Sequence, residues 1–294
     1  MKHIKLFSTM LIVAIASILV SLSSCTSDDA LIMERDNATS QVSSNLMEEL
    51  ENYAHNFLAT HSGSRSKRGW GKFRDSLKAD FVGYTDGNRK HHNAVSVGTS
   101  RKKWKDLKAQ ENTLLQPMTT QEIEELSSQI DSLKVEYQKD NTNFGAIHNA
   151  AILTMLINDQ WEYNSTVELA ESTIAALSEL GVDMGNVTAN EVATDIDSFF
   201  SDIYDSNVDV MFNRLKQKYP LRRKELDVLQ CYLNTTDSID NLDDVILFTN
   251  GYVNIIKEID KNAKDLTDIE KSEIVGTITI GPNSLSLWQQ LSEK

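Results

Sequence analysis

Thr119-Thr120-Gln121-Glu122-Ile123-Glu124-Glu125-Leu126-Ser127-Ser128-Gln129-Ile130-Asp131-Ser132-Leu133-Lys134-Val135-Glu136-Tyr137 decides the fold class. Ile123, Leu126, Ile130, Leu133 and Tyr137 recur at steps of three and four, which lines one face of a helix. Thr119 with Glu122 has the form of a capping box at its start. Two heptads are too few for a coiled coil, so the stretch predicts a bundle helix. Downstream, Phe144 to Gln160 is apolar on more than one face and reads as a central helix. Ser165 with Glu168, Thr188 with Glu191 and Thr267 with Glu270 repeat the capping pattern ahead of apolar runs. Pro220 stands where a helix N1 proline would, before Leu221, Leu226, Leu229 and Leu233. Leu242, Val245, Phe248, Tyr252, Ile255 and Ile259 continue the series, and Gly181 suits a C′ position after Leu180. Upstream, Leu46, Leu50, Tyr53 and Phe57 predict a helix from about 45 to 60, with Asn45 and Glu48 as cap partners. Only 3 Pro and 12 Gly occur in 294 residues, too few breakers for an all-β chain. The expectation is an all-α fold, a helical bundle or array, forming a single mainly helical domain over residues 43–294.

One segment departs from this pattern. Residues 64–108 carry thirteen Lys and Arg against four Asp, a net +9, and five of the glycines. No apolar periodicity spans them, so an irregular basic, glycine-containing insert is expected, with one short amphipathic helix near Trp70 to Phe81. Arg65, Lys67, Arg68, Trp70, Lys72, Phe73 and Arg74 interleave cations with aromatics. Such a mixture suits a membrane interface, a polyanionic glycan or a lipopolysaccharide phosphate, and these seven are the candidate interaction residues. It suits an acidic partner within the same chain equally well, and that internal docking is the expectation preferred on charge complementarity.

Residues 1–24 read as a cleaved signal peptide: Lys2, His3 and Lys5, then an apolar run from Met10 to Val20, then small residues before Cys25. The run is short of the roughly 20 residues that a transmembrane helix needs. Removing residues 1–24 takes away two lysines and no acids, leaving 27 basic and 43 acidic side chains, a net charge of −16. That sign argues against nucleic-acid binding, which depends on cations neutralising phosphates. The only other cysteine is Cys231, too few for a disulfide framework, so a packed core must hold the fold. Residues 25–42 are polar and aperiodic, as a flexible tether would be.

Leu22-Ser23-Ser24-Cys25 resembles the lipobox of bacterial lipoproteins. The resemblance implies cleavage before Cys25 and acylation of that residue with palmitate and further chains, several of which together make a stable anchor. Cys25-Thr26-Ser27-Asp28-Asp29 looks like the acidic tract that routes some Bacteroidetes lipoproteins to the outer face of the outer membrane. The implied location is therefore the bacterial outer membrane, with the cell surface modestly favoured over the periplasmic face.

Signals for chemistry are sparse. His55, His61, His91 and His92 lie close in sequence but lack metal-ligand spacing, and no His-Glu-x-x-His, Cys-x-x-Cys or Asp-rich calcium loop occurs. They read as solvated loop histidines. His148 sits in an apolar helix, where a buried imidazole held by a backbone or carboxylate partner is expected ahead of a catalytic base. Nucleophile elbows and phosphate-cradling glycine loops are missing, and Cys231 lies in an apolar helical setting where a thiol is inert. Pairs such as Asp195/Asp197 and Asp243/Asp244 read as solvated faces. No catalytic residue, cofactor or metal ligand is assigned.

Trp70-Gly71-Lys72-Phe73 leading to Ala79-Asp80-Phe81-Val82-Gly83, Gly145-Ala146-Ile147-His148-Asn149, and Ser284-Leu285-Ser286-Leu287-Trp288 are similar to segments of a loose set of small Bacteroidetes lipoproteins of no established activity. Asp75-Ser76-Leu77, Asp131-Ser132-Leu133 and Asp237-Ser238-Ile239 resemble an O-glycosylation acceptor pattern of exported proteins in that group. Expected is a lipid-anchored cell-envelope protein that acts by binding or assembly, with the membrane and an envelope protein or glycan as partners. An envelope hydrolase on glycan or peptide, and a membrane-active antagonist using the basic aromatic insert, stand as alternatives.

Overall fold

The computed structural model describes residues 44–61, 70–86, 91–110, 118–140, 142–158, 162–258 and 266–292. Among them are eleven α-helices and no strand: α1 (Ser44–His61), α2 (Trp70–Asp86), α3 (His92–Gln110), α4 (Thr120–Lys139), α5 (Phe144–Ile157), α6 (Thr166–Glu179), α7 (Ala189–Ser198), α8 (Val208–Lys218), α9 (Arg223–Thr236), α10 (Leu242–Glu258) and α11 (Asp268–Ser292). A π-helical turn, Phe199–Ile203, follows α7, and a 3-10 turn, Pro220–Arg222, joins α8 to α9.

Local signals act where the chain places them. Thr119 and Glu122, and Thr188 and Glu191, form reciprocal capping boxes. Thr267 and Glu270 exchange the same pair of bonds. Ser165 accepts from Glu168 N, whereas the Glu168 carboxylate reaches Asn164 instead. Gly181 adopts φ +83° after Leu180, a left-handed C′ geometry that favours glycine. Two boundaries differ from expectation: α1 already includes Asn45, and Pro220 opens the 3-10 turn and not the α-helix.

The helix expected near Trp70 to Phe81 is present as α2, but the rest of the expected irregular insert is helical too: α2 and α3 form a packed pair at the centre of the fold. They run antiparallel, with Ser96 Oγ donating to Asp80 O at 2.8 Å and Thr99 Oγ1 to Ala79 O at 3.0 Å. Every residue from Ser76 to Asp86 and from Ala94 to Arg101 is buried. A helix enclosed on all sides has no polar face to set a period, which is why periodicity failed here. The glycines misled for a related reason. Gly83 serves as a close-contact residue, since a Cβ there would meet Thr99 Oγ1 at 2.2 Å.

Around this pair α11 packs along α2 and α5, α4 covers α5, and α6 and α7 close over α3. Helix α5 is buried from Gly145 to Met155, as expected of a central helix. On the far side α1 rests on α9 and α10, burying Leu46, Leu50, Ala54 and Phe57. Pro282 lies inside α11 and leaves Ile278 O without its i+4 amide donor. The Tyr232 hydroxyl reaches that carbonyl at 3.5 Å.

Candidate functional site

Asp80 on α2 is the focus of a polar centre inside the bundle. Its Oδ2 accepts from Trp288 Nε1 at 3.0 Å and from the Ser284 hydroxyl, both on α11. His148 Nε2, on α5, lies 3.8 Å from the same oxygen. From α3, Ser100 faces the carboxylate and Trp104 stacks on Trp288 with centroids 4.5 Å apart. The centre is sealed: Asp80 and Ser284 are 0% exposed and His148 2%. His148 Nδ1 lies 3.3 Å from Asn149 Oδ1, while Asn149 Nδ2 donates to Asn283 O at 2.8 Å. One carboxylate therefore ties together three helices that are far apart in sequence.

Burial raises the Asp80 pKa, since an enclosed carboxylate loses its hydration; His148 and the hydroxyl and indole donors pull it back down. Asp80 Oδ1, Ser100 Oγ, Ser76 Oγ and His148 Nε2 are buried polar atoms without a hydrogen-bond partner of good geometry. Ser, His and Asp are all present, yet their order is not that of a hydrolase. In a Ser-His-Asp triad the imidazole bridges the other two and takes the serine proton. Here the carboxylate is the bridge and the Ser284 proton points at Asp80, so the hydroxyl is held and not activated. The centre meets His148 with one carboxylate, and it has no open side for substrate.

Residues 79–83, 145–149 and 284–288 supply Asp80, His148, Ser284 and Trp288. Scattered in sequence, they converge on one buried point in the fold. No spacing rule links positions 80, 148 and 284, so periodicity could not have grouped them.

The basic segment docks on its own bundle wherever its side chains are described. The Arg74 guanidinium donates to Asp237 O. Lys78, 6% exposed, donates to Ser206 O at 3.0 Å and pairs with Asp237 at 3.0 Å. Lys102 pairs with Asp197 at 2.8 Å and Lys105 with Glu162 at 3.1 Å. Arg101 is fully buried, donates to Ser172 Oγ at 2.7 Å and lies 5.0 Å from the centre of the Tyr163 ring. Burial brings its pKa down to about 10. Arg65, Lys67, Arg68 and Cys25 lie outside the described residues, as do the side chains of Trp70, Lys72 and Phe73. Replacing Lys78 with alanine should lower the unfolding free energy by about 1–3 kcal/mol, because its charged bonds are enclosed. The Lys102→Ala change, at a half-buried lysine whose partner Asp197 is exposed, should cost less than about 1 kcal/mol. Urea unfolding of the two variants side by side checks the ranking, and equal losses would contradict it.

Several polar side chains differ from their solvated expectation. His91 is buried and pairs with Asp195 at 2.5 Å, and His92 stacks on Tyr84 and bonds its hydroxyl at 3.0 Å. His61 stacks on Phe57, while His55 is exposed on α1. Asp195 and Asp197 are thus paired and not simply hydrated. Cys231 is half-buried, and burial raises its thiol pKa. Of the three candidate acceptor serines, Ser76 is buried whereas Ser132 and Ser238 are exposed. Among the described residues no group of three or more His, Cys, Asp or Glu converges as a metal site, and no helix is long and apolar enough to cross a membrane. No protein-family model, curated protein or solved structure matches this chain.

Proposed function

We propose that this chain is a lipid-anchored envelope protein, held at the bacterial outer membrane through acylated Cys25, that acts by binding or assembly. The observation that carries the binding reading is the use of the reactive residue types inside the fold. Asp80, His148 and Ser284 are sealed in a centre that joins α2, α5 and α11, in an order that holds the serine proton in place. The side chains described in the basic segment are engaged in the same way, by Asp237, Asp197 and Glu162. Among the described residues the exposed charged side chains are mostly acidic, in keeping with the 43 acidic side chains of the chain. Such a surface suits a cationic protein or glycan partner in the envelope.

Two measurements test this. Cells grown with labelled palmitate should incorporate it into the chain, and Cys25→Ala should abolish the label. An unlabelled wild-type chain would overturn the anchor. Cross-linking from the outward acidic helices of intact cells should trap a discrete envelope partner. Turnover of a peptide or glycan substrate, lost in a folded His148→Gln variant, would overturn the binding reading and favour the hydrolase.

A further inference from the structure

The helix directions show at which end of the bundle α1 begins. Tyr252 on α10 donates to Val228 O on α9 at 2.8 Å, and Tyr232 pairs with Thr249 at 2.8 Å, so α9 and α10 run antiparallel. Tyr53 on α1 donates to Phe248 O at 3.3 Å, while Glu51 acts on Tyr252 and Cys231. Helix α1 is thus antiparallel to α10 and parallel to α9. Its first turn lies at the end of the bundle where α10 finishes, α9 begins and the Pro220–Arg222 turn sits. Only 18 residues, 26–43, separate Cys25 from α1, a contour of at most roughly 60 Å.

That end carries the most exposed large aliphatic side chain among the described residues, Leu221 at 83%. Pro220 and Arg223 beside it are exposed as well. From Arg214 to Lys224 the chain holds six cations and no acid; Arg214 and Lys216 of α8 are paired with Asp205 and Asp227. Pairing of Lys218 with Asp86 at 2.9 Å and of Arg222 with Glu225 at 2.6 Å fixes the corner and leaves Leu221 and Arg223 at its tip. Ile269, 66% exposed at the start of α11, belongs to the same end, since Glu273 one turn later acts on Arg222.

We infer that the Pro220–Arg223 corner, with Leu221 as its apolar tip, rests on the anionic membrane surface to which Cys25 tethers the chain. This rests on the anchor proposed above. The tether alone limits distance and leaves orientation free. An aliphatic tip flanked by cations, at the end where the tether enters, adds a second point of contact. It would turn the acidic faces of the remaining helices away from the headgroups, toward whatever they bind.

The test uses the acylated mature chain in a Cys231→Ser background, with a nitroxide at Leu221→Cys or, as a reference, at Leu247→Cys. Leu247 is 52% exposed on α10, away from the corner. The chains are bound to phosphatidylcholine vesicles with or without phosphatidylglycerol. Collision with an aqueous paramagnetic nickel reagent should fall severalfold at position 221 on the anionic vesicles and stay unchanged at 247. Equal exposure of both labels, or equal protection of both, overturns the contact. Protection at 221 that is undiminished without phosphatidylglycerol overturns the part assigned to the cations. Palmitate content of the same samples separates the two readings, because a chain that carries no acyl group fails at the anchor.

Discussion

Replacing Asp80 with alanine should lower the free energy of unfolding by about 2–6 kcal/mol, because two enclosed donors are left unsatisfied at about 1–3 kcal/mol each. Two groups lose their acceptor, the Ser284 hydroxyl and Trp288 Nε1, and His148 Nε2 loses the carboxylate it faces at 3.8 Å. All are enclosed, so water cannot replace the lost oxygen without opening the contact of α2 with α11. Asp80→Asn should behave differently. Its side-chain oxygen still accepts from Ser284 and Trp288, and it carries no charge to desolvate. Because burial raises the Asp80 pKa above its unfolded value near 3.9, the folded state favours the protonated carboxyl. The stability linked to that proton is fully present below about pH 4 and is lost as pH rises through the folded-state pKa. The asparagine variant has no such loss, so its stability relative to wild type should climb with pH above about 4 and then level off. Urea midpoints for wild type, Asp80→Ala and Asp80→Asn across that window decide it. A wild type that gains on the asparagine variant as pH rises would show that His148 outweighs desolvation.

This centre also marks where sequence reading stops. The outer helices were legible because they are amphipathic: Leu46, Leu50 and Phe57 of α1 are the buried side chains that spacing marks. Capping boxes at Thr119 and Thr188 set helix starts for the same local reason. Helix α3 and the central burial of α2 were hidden because Lys78, Asp80, Asp86 and Arg101 are buried in the pair, and their partners come from distant parts of the chain. Charge near Lys78 or Lys102 looks like a solvent-facing patch until Asp237 and Asp197 are brought beside it. Residue type singled out His148, and a resemblance singled out the 79–83 and 284–288 stretches. Only the tertiary arrangement shows that they share one carboxylate.

Gly145→Ala should be the second large loss, about 3 kcal/mol, at the upper end of what overpacking usually costs. The added Cβ would sit 2.2 Å from Thr279 O and 2.7 Å from its carbonyl carbon. Those are backbone atoms of α11, so no side-chain rotation relieves the collision and the two helices must separate. Separation lengthens the bond from Gly145 N to Thr279 Oγ1, now 2.9 Å, and the one from Asn149 Nδ2 to Asn283 O, now 2.8 Å. It also draws Ser284 and Trp288 away from His148. Gly71→Ala is the control, since nothing lies within 4 Å of its Cβ position; there the better helix propensity of alanine should stabilise by up to about 1 kcal/mol. Because the Gly145 contact and the Asp80 centre hold the same helix, Gly145→Ala combined with Asp80→Ala should lose less than the sum of the two by about 0.5–3 kcal/mol, as coupled neighbours do. Guanidinium unfolding of the double-mutant cycle measures that shortfall. Strict additivity would mean that α11 is held at the two points independently, and that the polar centre does not sense how closely α5 and α11 approach.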